Sequence, residues 1–140
     1  MTSDGDGVRQ YQESDEDNVV TLLNEVLPDD QPHNNPRNSL RTKMDWDNLM
    51  FVAERSGDIT GFVMAGYDGH RGWIYQLAVH PDKRSSGTGR QLVMAAENAL
   101  KALGCLKVNL QVREGNTGVT AFYEKCGYEI ENRTSMGRLL

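Results

Sequence analysis

The densest chemistry in this chain lies in one run, Leu77-Ala78-Val79-His80-Pro81-Asp82-Lys83-Arg84-Ser85-Ser86-Gly87-Thr88-Gly89-Arg90. An apolar strand pattern stops at His80-Pro81, and a helical pattern starts behind Gly87-Thr88-Gly89. A glycine-bearing loop that opens a helix leaves backbone N–H groups without partners at the positive end of the helix dipole, which favours an anion such as a pyrophosphate. Gly87 and Gly89 permit close backbone approach, Ser85, Ser86 and Thr88 add hydroxyls, and Lys83, Arg84 and Arg90 add positive charge. Two other phosphate loops fail on their own terms. A Walker loop needs Lys-Ser/Thr after its last glycine, where this chain has Arg90-Gln91; a dinucleotide fingerprint needs a small residue where Leu92 stands.

The elements that must position this loop are legible in the apolar spacing. Strand patterns cover residues 8–12, 49–54, 59–67, 73–79 and 107–112, and residues 128–131 and 134–139 read as a closing hairpin. Ser14, with Asp17 in capping-box position, opens a helix whose apolar residues are Val19, Val20, Leu23, Val26 and Leu27, ended by Pro28. Asn35-Pro36 restarts a second helix carrying Leu40 and Met44. The third and strongest runs over 88–103 with Leu92, Val93, Ala96, Ala99, Leu100 and Leu103 on one face and Gly104 as its stop. A fourth, capped by Asn116 or Thr117, ends at Gly127. The order β-α-α-β-β-β-α-β-α-β-β implies an α/β fold, a mixed sheet with helices on both faces, with a right-handed parallel crossover over residues 73–112.

Composition narrows the function classes. The chain has 140 residues, 38% of them hydrophobic and 25% charged, which fits one domain over 1–140 with residues 1–7 as a disordered lead-in. A net charge of −5 argues against a duplex nucleic-acid binder. No apolar run approaches the ~18 residues of a membrane helix. Cys105 and Cys126 fit free thiols in a reducing cytoplasm, and His33, His70 and His80 lack metal-ligand spacing, so no metal is expected. The charge is split: residues 1–50 carry a net −7 and residues 51–140 a net +2, so the two parts of the chain face different partners.

Arg84-x-x-Gly87-x-Gly89 behind Leu77-Ala78-Val79-His80-Pro81 resembles the acetyl-CoA signature of the GNAT superfamily of N-acetyltransferases. A second, co-linear block supports the resemblance: Leu110-Gln111-Val112-Arg113-x-x-Asn116, then Ala121-Phe122-Tyr123-x-x-x-Gly127-Tyr128. The likeness extends over roughly residues 8–139 and is similar both to small bacterial members and to ribosomal-protein N-terminal acetyltransferases. It implies a GNAT-type twisted mixed sheet in which the 73–79 strand carries a bulge and splays from the 107–112 strand. Acetyl-CoA, the donor, would lie in that splay, with its pantetheine paired to backbone at Leu77, Ala78 and Val79. The loop Arg84, Ser85, Ser86, Gly87, Thr88, Gly89 and Arg90 would take its pyrophosphate. A backbone N–H near Val79 would polarise the thioester carbonyl, Asn116 would hold the cofactor arm, and Tyr123 would bind beside the sulfur and protonate the departing thiolate. The amine attacks directly, with no covalent enzyme intermediate.

The chain departs from the family where a general base is expected. Gln111 and Trp73 stand at positions where relatives carry glutamate, and neither side chain takes a proton. Asp68, His70 and Tyr75 are the remaining substrate-side candidates, although Asp68-Gly69-His70-Arg71-Gly72 also reads as an exposed Asx-type turn. Trp46 and Met44 either line the acceptor pocket or pack their helix. The resemblance implies a monomer or homodimer without nucleic-acid or membrane partners, acetylating a small-molecule or peptide amine; the acidic first 50 residues point to a cationic acceptor. Competing readings are a protein N-terminal or lysine acetyltransferase and a catalytically degenerate acyl-CoA sensor.

Overall fold

The structure is a computed structural model that describes residues 6–84 and 86–140; Ser85 and residues 1–5, most of the expected lead-in, lie outside the described residues. The chain resolves into two compact units, residues 1–109 and 110–140. The larger holds strands β1 (Gly7–Gln10), β2 (Met50–Arg55), β3 (Asp58–Tyr67) and β4 (Gly72–Val79) and helices α1 (Glu16–Val26), α2 (Pro36–Trp46) and α3 (Thr88–Ala102). Strand β5 (Val108–Leu110) follows α3, and α4 (Thr117–Lys125) belongs to the smaller unit.

The five strands lie side by side in chain order. Pairs β1/β2, β2/β3 and β3/β4 are antiparallel, and β5 beside β4 completes a mixed sheet. Gly72 N–H, at the start of β4, donates to Lys107 O just before β5, so the two strands begin level. Ser56 and Gly57 both have positive φ, the backbone of a two-residue hairpin turn whose twist matches its strands. Asp6 joins the turn by accepting Ser56 N–H at 2.7 Å, so the chain is already ordered at Asp6 and in strand β1 at Gly7.

Strand alternation divides the core. Phe62 and Met64 of β3 face α1 and α2, packing with Tyr11, Val19, Leu22, Leu23, Leu40, Met50, Val52 and Ala78. Gly61 faces α3: a Cβ there would stand 2.7 Å from Leu92 Cδ1 and 3.3 Å from Ala78 O. The α3 stripe is buried at Leu92, Val93, Ala96 and Leu100 as its period required, while Leu103 falls past the last turn and is exposed.

Two expectations fail. Ser14 does not cap the first helix. A 3₁₀ turn, Glu13–Asp15, precedes α1, and the Asp15 carboxylate is spent on Arg9 (2.8 Å to each oxygen) and on Gln12 N–H (2.8 Å). Arg9 also donates to Glu54, which ties β1, β2 and the entry to α1 together. The closing hairpin is absent: among the described residues no strand follows β5, and residues 129–140 are exposed throughout. A two-stranded hairpin has too little buried area to hold its own shape in water.

Asp15 is buried and Arg9 holds its carboxyl below the ordinary range against the opposing effect of burial. Removing the guanidinium leaves that carboxylate buried and unpaired, so Arg9→Met costs about 2–3 kcal/mol. In the native chain this contribution is complete above the unfolded carboxylate value and fades only as pH falls through the lowered folded one. In Arg9→Met burial outweighs the remaining Gln12 N–H bond, so protonating Asp15 relieves a buried charge and the stability gap between the two proteins narrows as pH falls. Urea melts between pH 7 and pH 3 check this; parallel stability curves for the two proteins would refute it.

Candidate active site

The β4 strand sets the geometry. Met64 pairs with Gln76 and Ala65 with Ile74, so Tyr75 is an extra residue and β4 is bulged there, as the resemblance implied. His80 N–H donates to Thr60 O at 2.8 Å, which fixes the alternation below the bulge. Pairs 62/78 and 64/76 therefore exchange the ladder bonds with β3, while Leu77 and Val79 turn their backbone N–H and C=O groups to the β5 side. Ala78 is thereby committed to β3 and to the core, and the backbone available to an extended ligand narrows to Leu77 and Val79. β5 is only three residues long and starts level with β4, so its ladder stops before Leu77.

Behind Val79 the chain coils through a 3₁₀ turn, Pro81–Lys83, before α3. Arg84 Nε donates back to Val79 O at 3.2 Å, anchoring the exposed guanidinium to the end of β4. Ser86 Oγ donates to Lys83 O at 2.6 Å and lies 2.9 Å from Thr88 Oγ1, so both hydroxyls help to shape the loop. Gly87 is the N-cap of α3 with φ 84° and ψ 3°, and no side chain caps the helix. The first-turn amides of Thr88, Gly89 and Arg90 thus open onto the loop at the positive end of a 15-residue helix. Thr88 and Gly89 are buried; Arg90 is exposed. A pyrophosphate fits this set of amides, cations and small residues.

The substrate-side candidates separate. Asp68 Oδ1 accepts the N–H groups of His70 (2.8 Å) and Arg71 (2.7 Å), the Asx-type turn. The Arg71 and His70 N–H bonds hold the Asp68 carboxyl below its ordinary value, the wrong direction for a base. The His70 side chain is exposed, and its backbone N–H helps to close the turn. Tyr75 lies with its ring against Gly66, where a Cβ would stand 2.7 Å from Tyr75 Cε2. Burial first, and then the charges of Asp68 and Asp47, push the Tyr75 phenol up, so it stays protonated. Lys43 Nζ sits 5.9 Å from the Tyr75 ring centroid and 2.8 Å from Asp47 Oδ2. Asp68, Tyr75, Asp47 and Lys43 therefore share one neighbourhood. Trp46 is 82% exposed and packs nothing in its helix.

The acidity of the first 50 residues is partly internal. Glu16 takes Arg37 (2.6 Å) and Arg41 (2.8 Å), Asp17 takes Arg37 (2.7 Å), Asp15 takes Arg9 and Asp47 takes Lys43. Arg41, and after it Arg37, pull the Glu16 carboxyl down to about 2 against partial burial. All four cations of the segment are used to join α1 to α2, β1 to α1 and the end of α2 to itself.

In the smaller unit, Asn116 Oδ1 accepts Val119 N–H at 3.3 Å and caps α4, so the carbonyl end of its amide is committed to the helix. Tyr123 is buried between Phe122 and Tyr128, with ring centroids at 5.1 and 5.6 Å. Burial, and then Cys126, push its phenol up to about 12. Gln111 Nε2 donates to Ser135 Oγ at 2.7 Å.

One polar residue of β4 escaped the sequence reading. Gln76 reads as a polar position in an apolar strand, but its Oε1 is buried without a hydrogen-bond partner. Only the bulge, which no spacing announces, shows which face it takes.

A family model described as "Acetyltransferase (GNAT) family" matches residues 16–128. An acetyltransferase of Yersinia enterocolitica is 43% identical over 134 residues, covering 95% of this chain and 94% of that one. An acetyltransferase of Pectobacterium atrosepticum is 40% identical over 136 residues, with coverage of 95% and 94%. Among solved structures, an aminoglycoside N-acetyltransferase in complex with CoA superposes with TM-score 0.82 at 20% identity, covering 99% of both chains. The ribosomal-protein-S18-alanine N-acetyltransferase of Escherichia coli superposes with TM-score 0.74 at 19% identity, covering 86% of this chain and 75% of that one. The bulged β4, the glycine-capped α3 and the length of these matches lead to one assignment: the chain belongs to the acetyltransferase (GNAT) family.

Proposed function

We propose that this protein is an N-acetyltransferase that moves the acetyl group of acetyl-CoA to the primary amine of a small molecule. The observation that carries the reading is the N-terminus of α3 at Gly87, which no side chain caps, set directly behind the outward-turned Leu77 and Val79 groups of β4. Similarity in fold to acetyltransferases solved with CoA supports the same donor. Acetyl-CoA supplies an activated acyl carbon and a thiolate leaving group. Leu77 and Val79 pair with an extended amide-bearing arm, and the amides of Thr88, Gly89 and Arg90 with Arg84 take the pyrophosphate. The Val79 N–H donates to the thioester oxygen as charge develops there. The amine nitrogen forms the new C–N bond, the C–S bond breaks, and the proton lost by nitrogen is balanced by the one gained by sulfur. Tyr123, which keeps its proton at neutral pH, donates it in a hydrogen bond to the departing sulfur. A protein N-terminal acetyltransferase is disfavoured by Gln111, whose amide donates to Ser135 where those relatives carry a carboxylate.

Direct attack has a kinetic consequence. Initial rates with acetyl-CoA and amine varied together give intersecting double-reciprocal lines, and incubation with acetyl-CoA alone leaves Cys105 and Cys126 unmodified by mass spectrometry. Parallel lines with an acetylated cysteine would replace this mechanism by a two-step one.

A further inference from the structure

The bulge at Tyr75 puts two consecutive side chains on one face of the sheet. Ile74 pairs with Ala65, on the α3 face shared with Gly61, whereas Gln76 pairs with Met64, on the face of α1 and α2. Tyr75 rests on Gly66, two residues along from Met64 and on that same face. Gln76 thus points to the side of α2, where Lys43 and Asp47 approach Tyr75. Its Oε1 is buried and accepts no hydrogen bond there. Such an acceptor is destabilising wherever it stays unmatched, and an aliphatic side chain of the same size avoids that cost. Gln76 also directly precedes Leu77, the first residue past the bulge whose N–H turns to the β5 side. A carbonyl oxygen with no donor, next to the strand that the donor thioester would line, is complementary to a group rich in N–H.

We propose that Gln76 Oε1 receives an N–H of the acceptor amine and thereby aims the nitrogen lone pair at the thioester carbon. The assignment rests on the acetyltransferase reading and adds to it the residue that orients the nucleophile. An amide oxygen accepts from ammonium and from neutral amine alike and takes no proton, so Gln76 is a substrate-positioning residue and not a base. Tyr75, protonated and lying against Gly66, forms the adjoining wall.

The test is Gln76→Leu, with Gln76→Glu as the variant that restores an acceptor oxygen. Gln76→Leu raises the KM of the amine at least ~10-fold, the value of one hydrogen bond to a charged group. The KM of acetyl-CoA stays within about twofold, and Tm is unchanged or higher because an unmatched buried acceptor is gone. Gln76→Glu returns the amine KM toward that of the native protein. An unchanged amine KM, or a fall in Tm with both KM values rising together, would overturn the proposal and leave Gln76 a structural residue. Independently of turnover, butylamine titrated into the protein–CoA complex shifts the Gln76 side-chain amide resonance, identified by its loss in Gln76→Leu. If no amine is acetylated but that resonance moves, the enzyme reading fails and the amine site stands. If amines are acetylated and the resonance stays still, the reverse holds.

Discussion

Replacing Tyr123 with Phe lowers kcat about 100-fold and leaves the Kd for acetyl-CoA within about twofold. The substitution removes one oxygen and keeps the ring that packs between Phe122 and Tyr128, so the local core is preserved. What is lost is the donor to the departing sulfur. An unassisted thiolate leaves on its own thiol pKa of ~8.5, so the reaction persists at a reduced rate. The pH profile separates this role from others. With its phenol up at about 12, Tyr123 holds its proton through the neutral range. Native kcat therefore shows no loss of activity on the alkaline side from this group below pH ~10. Full turnover in Tyr123→Phe would remove the residue from the chemistry.

Replacing Gly87 with Val weakens CoA binding at least ~10-fold, a loss of ~1.4 kcal/mol. A Cβ on Gly87 would meet nothing within 4 Å, so the cost is not a clash. It lies in the backbone: φ 84° is left-handed, where a side chain costs about 1–2 kcal/mol and a β-branched one more. Relief of that strain rotates the peptide ahead of Thr88 and tilts the amides that open α3 away from the ligand. Gly87→Asn is the control, because asparagine tolerates this region and keeps stability within about 0.5 kcal/mol. Calorimetric titration with CoA and urea melts of both variants check the pair of effects. Unchanged affinity in Gly87→Val would place the phosphates elsewhere.

The fold was legible where a period or a cap had one meaning. The α3 stripe and the Asn35 cap appear where local spacing puts them, and Asn116, one of two candidates, caps α4. Ser14 misled because capping is a competition: a buried Asp15 already held by Arg9, 6 residues earlier in the chain, sets the start of α1. The terminal hairpin misled because alternating apolar residues such as Ile130 and Met136 do not make a strand without a surface to pack on. At the loop, the Gly87-Thr88-Gly89 spacing announced the start of α3, since a helix N-terminus is a local object. The face of β4 beside α2 was not legible in this way. It depends on the one-residue slip at Tyr75, which swings Gln76 to that face and brings Lys43 and Asp47, about 30 residues away in sequence, to the Tyr75 ring. Asp68 and His70 looked reactive by residue type, yet the Asp68 carboxylate is consumed in closing its own turn.

The central claim is most directly tested by the stoichiometry of thiol release. Purified protein is mixed with acetyl-CoA and a panel of primary amines, and free CoA thiol and acetylated amine are quantified together. Direct transfer gives release that depends on the amine, with one acetylated amine formed per thiol. Acetyl-CoA that binds but yields no amine-dependent thiol with any member of the panel would contradict it and make the protein an acyl-CoA binder without turnover.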